Sequence, residues 1–237
     1  MKRIVALLLV LLIAASLCAC GDNASTTPNG DPDNTQGTVD TSNDNTTNQG
    51  GEITEVTEAI VRAYKTAPAS DFEYEVDGDG IKITKYKGND TIVVIPDKID
   101  DKPVTELKSY LFANESSVKG VLIPETVLTL KYTFTNNDDI QVVICEGVEA
   151  LKNAVFLNCA AIHTIVLGEN LSEMGEFCIA TCPNLLEVYI CPKVTSIAQN
   201  YDSFDVLSDC AKLTVKGKAG SYIQTYAESN GLTFKAE

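Results

Sequence analysis

The side chains with the greatest capacity for chemistry in this chain are eight cysteines and a single histidine, His163. A lone histidine excludes most acid–base and metal schemes. The sequence also has no glycine-rich phosphate loop and no nucleophile elbow, so no catalytic triad can be assembled. His163 is predicted to be a solvent-facing strand residue, and the chain is predicted to be a non-enzyme with no cofactor.

Carboxylates offer weaker candidates for chemistry. The adjacent acidic pairs at 100–101 and 138–139 could serve as glycosidase acids, but neighbours in a turn cannot set the separation across a cleft that this reaction needs. Residues 77–80 could open a calcium loop, but an EF-hand needs a carboxylate at its twelfth position, where Gly88 stands. The pairs are therefore predicted to be solvated turns and 77–80 the turn of a β-hairpin, with no metal site.

The N-terminus predicts export and lipid anchoring. Two basic residues precede an uncharged run over residues 4–20, which is too short to span a bilayer and predicts a signal peptide over residues 1–19. Residues 17–20, Leu-Cys-Ala-Cys, resemble the bacterial lipobox. The resemblance implies cleavage before Cys20 and a diacylglycerol thioether on it, which would anchor the protein firmly to a membrane. An ordinary secretory signal is the alternative.

Charge limits the partners of the exported product. The chain has 18 Lys plus Arg against 33 Asp plus Glu, and removal of residues 1–19 leaves a formal charge of -17. Such a surface disfavours nucleic acid and anionic lipid headgroups. Residues 20–51 carry the lipid-bearing cysteine and then almost no apolar side chains, which predicts a disordered tether. Its root-mean-square span as a flexible coil is ~30 Å.

A short helix is predicted between this tether and the folded domain. Ile53, Val56, Ile60 and Tyr64 recur at helical spacing within residues 52–70. This helix could be a spacer or could dock on the domain.

Internal repetition is the most informative feature of the remaining chain. Five segments share one pattern, in which a short apolar strand is followed by a turn residue. The predicted strand ends are Ile95, Ile123, Ile144, Leu167 and Ile190, and the turn residues are Pro96, Pro124, Cys145, Gly168 and Cys191. The turn residues are separated by 28, 21, 23 and 23 residues, and a period near 23 lies in the leucine-rich repeat range.

The columns of this repeat predict a stacked core. The predicted inward strand pairs are Val93 with Ile95, Val121 with Ile123, Val142 with Ile144, Ile165 with Leu167, and Val188 with Ile190. Three apolar columns follow: Val127, Val148, Leu171 and Val194; Leu107, Leu130, Leu151, Met174 and Ile197; and Phe112, Phe134, Phe156 and Ile179. No single repeat closes a core, so we expect neighbouring repeats to stabilise one another.

These residues resemble the BspA-like leucine-rich repeats of bacterial surface proteins. The family's line runs roughly V-x-I-P-x-x-V-x-x-I-x-x-x-A-F-x-x-C, and residues 142–159 follow it with Cys145 in place of the proline. Residues 74–107 look like the family's opening hairpin and first long repeat, and residues 213–234 like its closing helix and strand. The resemblance implies a repeat solenoid of α/β type over residues 71–237. Short stacked parallel strands would lie between an N-terminal β-hairpin cap and a C-terminal helix–strand cap.

Two repeats depart from this line in ways that matter here. The third is predicted to be one residue short before its turn residue, and the fifth carries an insertion over residues 198–205 that includes Tyr201 and Phe204. Insertions in repeat proteins collect in loops on one face, often the binding face. The core is predicted to resume with Leu207, although a register with Phe204 in the core stays open.

Six cysteines remain for the folded domain. Cys159, Cys182 and Cys210 end repeats, Cys145 and Cys191 occupy strand-end turns, and Cys178 fills a small core position. Ladder neighbours point in parallel, which is poor geometry for a disulfide. A zinc site would need a second ligand pair beside Cys178 and Cys182. The cysteines are therefore predicted to be buried as small hydrophobic side chains.

The outward strand positions are predicted to form an apolar stripe that binds a partner. Its members are Val94, Leu122, Val143, Val166, Tyr189 and Thr214, with Tyr201 and Phe204 of the insertion beside it. β-Branched residues also suit an exposed sheet through packing alone. However, a stripe that contains Leu122 and Tyr189 is more apolar than solubility requires, and such patches mark partner sites.

The chain is therefore predicted to be a lipid-anchored protein outside the bacterial cell membrane whose repeats bind a protein ligand. The family resemblance implies adhesion or host and cell–cell contact. A glycan- or cell-wall-binding module is one alternative, with Tyr189, Tyr201 and Phe204 as the available aromatic platforms. A solute-binding accessory lipoprotein is another, but that architecture needs two lobes around a cleft.

Overall fold

Short strands and the turns between them account for most of the structure. The computed structural model describes residues 54–114, 117–198 and 206–237. Its helices are α1 (Glu58–Ala63) and α2 (Tyr222–Ser229). Its strands are β1 (Phe72–Asp77), β2 (Gly80–Tyr86), β3 (Ile92–Val94), β4 (Lys98–Ile99), β5 (Lys102–Leu107), β6 (Gly120–Leu122), β7 (Thr129–Leu130), β8 (Val142–Cys145), β9 (Ala150–Leu151), β10 (Phe156–Leu157), β11 (Thr164–Leu167), β12 (Glu173–Met174), β13 (Ile179–Ala180), β14 (Glu187–Tyr189), β15 (Thr214–Gly217) and β16 (Thr233–Ala236).

The strands form a solenoid that advances by one turn per repeat. Seven of them make the largest sheet, in the order β16-β15-β14-β11-β8-β6-β3, and every neighbouring pair in it is parallel. The same turns contribute a parallel ladder of β7, β9 and β12 and a parallel pair of β10 and β13. The structure thus confirms the predicted repeat solenoid of short stacked strands.

Stacked side chains fill the inside of the solenoid. Phe112, Phe134 and Phe156 stack with ring centroids 5.5 and 5.3 Å apart and ring planes 9° and 5° apart. Ile179 and Leu207 are also fully buried in this core. Burial of one such ring contributes ~2–3 kcal/mol, and each stacked pair adds ~0.5–1.5 kcal/mol. Because the stacking partners lie in neighbouring repeats, the repeats stabilise one another, as predicted.

The remaining predicted columns are buried as well, from Val127 to Val194 and from Leu107 to Ile197. Leu207 rejoins the core after the insertion, which agrees with the preferred register. Tyr201 and Phe204 lie outside the described residues.

Both ends of the solenoid are capped as predicted. β1 and β2 pair antiparallel around a turn in which Gly78 has a φ of 60°, a left-handed conformation that glycine adopts without strain. This hairpin continues into a sheet with β5 and β4. At the other end, α2 packs Ile223, Tyr226 and Ala227 into the core, and β16 pairs with β15.

The strand of the third repeat has a different register from the predicted one. Val143 and Cys145 belong to the main core, whereas Val142 and Ile144 pack in a second cluster on the other side of the sheet. The prediction that Val142 and Ile144 point inward was wrong, because four consecutive apolar residues carry no alternation and a slip of one residue exchanges the faces. The missing residue lies after the strand: Cys145 ends β8, and its carbonyl also accepts the Val148 N–H of the turn at 3.3 Å.

None of the helices within the described residues is long and apolar enough to cross a membrane. The predicted signal peptide over residues 1–19, the lipidation site Cys20 and the tether over residues 20–51 lie outside the described residues and stay predictions.

Candidate partner-binding surface

The surface on which the sequence predicts a partner is the side of the seven-stranded sheet that faces away from the main core, here termed the outer face. Strand pairing defines two outward columns across it. From β3 to β15, the first is Ile92, Gly120, Val142, Thr164, Glu187 and Thr214, and the second is Val94, Leu122, Ile144, Val166, Tyr189 and Lys216.

Most of the predicted stripe lies on this face. The members found there are Val94, which is buried, and Leu122, Val166, Tyr189 and Thr214, which are half-buried. Val143 is not among them, because it is 0% exposed in the main core. Its assignment to the stripe was wrong for the reason given above, and Ile144 takes its place. Tyr201 and Phe204 cannot be placed because they lie outside the described residues.

Helix α1 covers the first half of the outer face. It lies over β3, β6 and β8. Val56 and Val61, both 0% exposed, pack there with Ile92, Val142 and Ile144 in the second hydrophobic cluster. Of the two possibilities left open by the sequence, the helix therefore docks on the domain. It does so through Val61 and not through the predicted Ile60, which is 38% exposed.

Local contacts explain where α1 begins and ends. The hydroxyl of Thr57 accepts the N–H of Ile60 at 3.4 Å, and an acidic residue in the first turn and a basic one in the last suit the helix dipole. Arg62 donates to Glu58 at 2.8 Å and, with two nitrogens, to Glu146 at 3.0 and 2.9 Å. The hydrogen bond from Arg62 lowers the pKa of Glu146. A helix of six residues is marginal alone, so docking is what stabilises it.

Gly120 of β6 and Gln141, which directly precedes β8, fit the α1 segment. The Gln141 side chain accepts the N–H of Val56 at 2.8 Å and donates to the carbonyl of Thr54 at 3.2 Å. Gly120 leaves space, since a Cβ there would lie 2.8 Å from Val61 Cγ2 and 3.0 Å from Val56 Cγ1. The sheet is therefore complementary to this segment in both hydrogen bonds and shape.

No element among the described residues covers the second half of the outer face, which contains a depression of about 400 Å³. This part is termed the open half. Its lining residues include Glu58 at the start of α1, His163, Thr164, Val166, Leu186, Glu187, Tyr189, Lys216 and Glu237. Leu186 is 52% exposed, which is high for a leucine beside a strand.

The rim of the depression is charged. Lys216 forms ion pairs with Glu187 and with Glu237, the latter at 3.1 Å. The hydrogen bond to Glu187, and then that to Glu237, raises the pKa of Lys216. Desolvation is the main cause that raises the pKa of the Tyr189 hydroxyl. The open half thus combines apolar side chains with a partly neutralised charged border.

His163 lies at the edge of this depression, directly before β11. Its Nδ1 lies 3.0 Å from the hydroxyl of Thr164, and its Nε2 is buried without a hydrogen-bond partner among the described residues. The ring is half-buried, whereas the sequence analysis predicted that it faces solvent. Within the described part of the chain, no group of three His, Cys, Asp or Glu side chains is arranged to hold a metal ion. The depression therefore offers apolar and charged contacts to a binding partner.

The six cysteines of the domain are all buried and free, as predicted. Sequence reasoning missed that some of them also hydrogen-bond between repeats. The Cys159 thiol donates to the Phe134 carbonyl at 3.2 Å, and the Cys182 thiol donates to the Phe156 carbonyl at 3.0 Å. In the repeat before Cys159, the Asn137 side chain donates to the Phe112 carbonyl at 2.6 Å in the same way. The signal was present, because Asn137 precedes Cys159 by 22 residues and so occupies the same position at the end of its repeat.

The buried thiols of Cys145 and Cys182 are poor nucleophiles. Burial raises the pKa of the Cys145 thiol to about 12. The pKa of Cys182 is also raised to about 12, mainly by a hydrogen bond with Cys159. Since the thiolate is the reactive form, these cysteines act as packing and hydrogen-bonding groups.

Comparison with known proteins places these features in a family. The profile described as "BspA type Leucine rich repeat region" matches residues 88–213 in six copies, slightly more than half of the chain. The leucine-rich repeat protein of T. pallidum is 27% identical with a TM-score of 0.59, and the match covers 64% of this chain and 71% of that one. A leucine-rich repeat protein from Bacteroides ovatus ATCC 8483 is 20% identical with a TM-score of 0.50, covering 65% and 47%, which shows the fold alone. No curated protein sequence matches the chain.

Proposed function

Because the chain belongs to the BspA-type leucine-rich repeat proteins, we propose that its repeat domain binds a protein partner through the open half of the outer face. Leucine-rich repeat domains typically bind proteins, but a repeat fold hosts many partners and names none of them. The choice of surface therefore rests on the residues of this chain.

The observation that carries the proposal is the group of apolar side chains left uncovered beyond α1. Leu186 is 52% exposed, Val166 and Tyr189 are half-buried, and all three line the depression. A tyrosine among aliphatic side chains, bordered by charged groups such as Glu187 and Lys216, is the composition of a protein interface.

We also propose that the protein acts at the bacterial surface, without catalysis, in adhesion or cell–cell contact. The lipobox-like residues 17–20 support an anchor on Cys20, and the polar composition of residues 20–51 supports a tether between lipid and domain. Labelling of cells with a radioactive fatty acid tests the anchor, because Cys20→Ser is expected to abolish incorporation into the protein.

The experiment on the outer face uses the full-length protein with the double change Leu186→Ser and Tyr189→Ser. Binding is measured by surface plasmon resonance against extracellular-matrix proteins and surface proteins of the same organism. We expect a loss of at least tenfold in affinity for any partner found, because interface anchors of this kind contribute ~2 kcal/mol or more when truncated.

The matched control is Leu128→Ser, which changes another exposed leucine, 46% exposed, outside the lining of the depression. It is expected to leave binding unchanged. Equal loss in the control and the double variant, or full binding by the double variant, would overturn the assignment of the open half.

A further inference from the structure

A second surface with binding chemistry lies in the turns that follow Leu107 and Leu130. Tyr110 and Tyr132 occupy equivalent positions in successive repeats and stack with ring centroids 5.3 Å apart and planes 14° apart. Tyr110 is 54% exposed and Tyr132 half-buried. The pair therefore presents aromatic surface to solvent, unlike the phenylalanine column beside it.

The fold does not explain why these residues are tyrosines. Their φ values are 66° at Tyr110 and 53° at Tyr132, a left-handed region that costs a bulky residue ~1–2 kcal/mol. The next repeat places Ala154 at the equivalent position with a φ of 50°. The turn thus requires the backbone conformation but not a ring, so the exposed rings call for another role.

The same turns are basic, although the protein is acidic. Residues 107–114, 130–137 and 151–158 each carry one lysine and no aspartate or glutamate, in a chain with a formal net charge of -15. Acidic residues flank these segments in the sequence, as Glu106 and Glu115 do for the first. Each of these three turns therefore contributes one basic side chain and no acidic one to this edge.

Two of the three lysines are available to a ligand. Lys131 Nζ lies 5.5 Å from the centroid of the Tyr132 ring, within the range of a cation–π contact, and Lys108 is exposed beside Tyr110. Lys152 is instead engaged by Glu173. Lys108, Tyr110, Lys131 and Tyr132 are termed the tyrosine–lysine edge.

A ladder of exposed amides follows in the same turns. Asn158 donates to Asn136 at 2.9 Å, and Asn136 donates to Asn114 at 3.5 Å. Carboxamides both donate and accept hydrogen bonds, as hydroxyl groups of a ligand require.

We propose that the tyrosine–lysine edge binds a glycan that carries isolated carboxylates, of the uronic or sialic acid type. The C–H groups of a sugar ring pack on the electron-rich faces of tyrosines. Lys108 and Lys131 attract the carboxylates, and the amide ladder matches the hydroxyls. A dense polyanion such as nucleic acid fits poorly, because only two lysines face it and the net charge of -15 repels it. None of these residues lines the depression on the outer face.

The test is isothermal titration calorimetry on the full-length protein with oligogalacturonate, sialyllactose, neutral maltotriose and a short DNA duplex. We expect at least one carboxylated glycan to bind, and to bind more tightly than maltotriose or the duplex. In Tyr110→Asn with Tyr132→Asn, asparagine tolerates the left-handed backbone. We therefore expect the fold to be retained and the affinity for the carboxylated glycan to fall at least tenfold.

Two further variants make the result specific. Lys108→Gln with Lys131→Gln is expected to weaken binding of the carboxylated glycan and to leave binding of maltotriose unchanged. The outer-face variant Leu186→Ser with Tyr189→Ser is expected to bind the glycan as well as the unchanged protein does. The proposal is overturned if neither carboxylated glycan binds, if the duplex or maltotriose binds as tightly, or if the tyrosine variant keeps full affinity.

Discussion

On the outer face, the half under α1 and the open half present different side chains at equivalent positions of the repeat. Under α1 the first outward column reads Ile92, Gly120 and Val142, and beyond it the column continues as Thr164, Glu187 and Thr214. The second column is aliphatic from Val94 to Val166 and then becomes Tyr189 and Lys216. The outward residues become polar where the cover of α1 ends.

This difference changes the meaning of the apolar stripe. A continuous apolar patch on the surface of a soluble domain usually marks a surface that is covered by another segment or by a partner. In this chain the segment from Val56 to Ala67 covers most of it: Val56 and Val61 bury the apolar column, and the Ala67 N–H donates to the Val94 carbonyl at 2.9 Å on the edge strand. The surface left for a partner is the smaller, more polar open half.

A charge placed in each half tests this difference, and the buried one is expected to have the largest effect of the changes considered for α1 and the sheet. We expect Val61→Asp to lower the free energy of unfolding by about 3 kcal/mol, because a carboxylate cannot stay buried without a partner at a residue that is 0% exposed. Leu186→Asp, at a residue that is 52% exposed, is expected to change it by less than about 0.5 kcal/mol. Urea unfolding followed by circular dichroism measures both values.

Digestion with trypsin tests the variants Val61→Asp and Leu186→Asp independently. If α1 is released in Val61→Asp, cleavage after Arg62 and Lys65 is expected to become faster than in Leu186→Asp. Equal stability losses in the two variants would mean that the helix does not protect one half more than the other.

A smaller effect is expected from added volume beneath the helix. Gly120→Ala brings a Cβ to 2.8 Å from Val61 Cγ2 and 3.0 Å from Val56 Cγ1, so the helix must shift. We expect a loss of ~1–2 kcal/mol, the usual cost of overpacking. Thr164→Ala, at the equivalent position of the open half, removes volume where α1 does not pack and is expected to be close to neutral. A neutral Gly120→Ala in thermal unfolding would argue against tight docking of α1.

The repeat register explains how much of this structure the sequence could predict. Stacked columns such as Phe112, Phe134 and Phe156 recur at a fixed period, so the solenoid and its core follow from spacing alone. The register of β8 does not follow from spacing, because four consecutive apolar residues leave both faces equally plausible. Docking of α1 is a long-range contact, and its sequence signals, Gly120 and Gln141, are single residues that have a meaning only once the helix is placed. The open half was predicted through Val166, Tyr189 and Thr214, whereas its other lining residues follow only from the strand pairing.

The smallest expected effect concerns the ion pair between Arg62 of α1 and Glu146 of the sheet. Because the hydrogen bond from Arg62 lowers the pKa of Glu146 below its ordinary value of 4.5 in the folded state, the pair stabilises the protein above that pH. This stabilisation is lost as the pH falls through the lowered pKa. Both side chains are partly exposed, so Arg62→Gln is expected to lower the free energy of unfolding by less than about 1 kcal/mol at neutral pH. The difference between the two proteins is expected to shrink towards zero in acid and in high salt, and urea titrations across this range measure it. A difference that stays constant with pH would mean that Arg62 holds α1 by packing and not by charge.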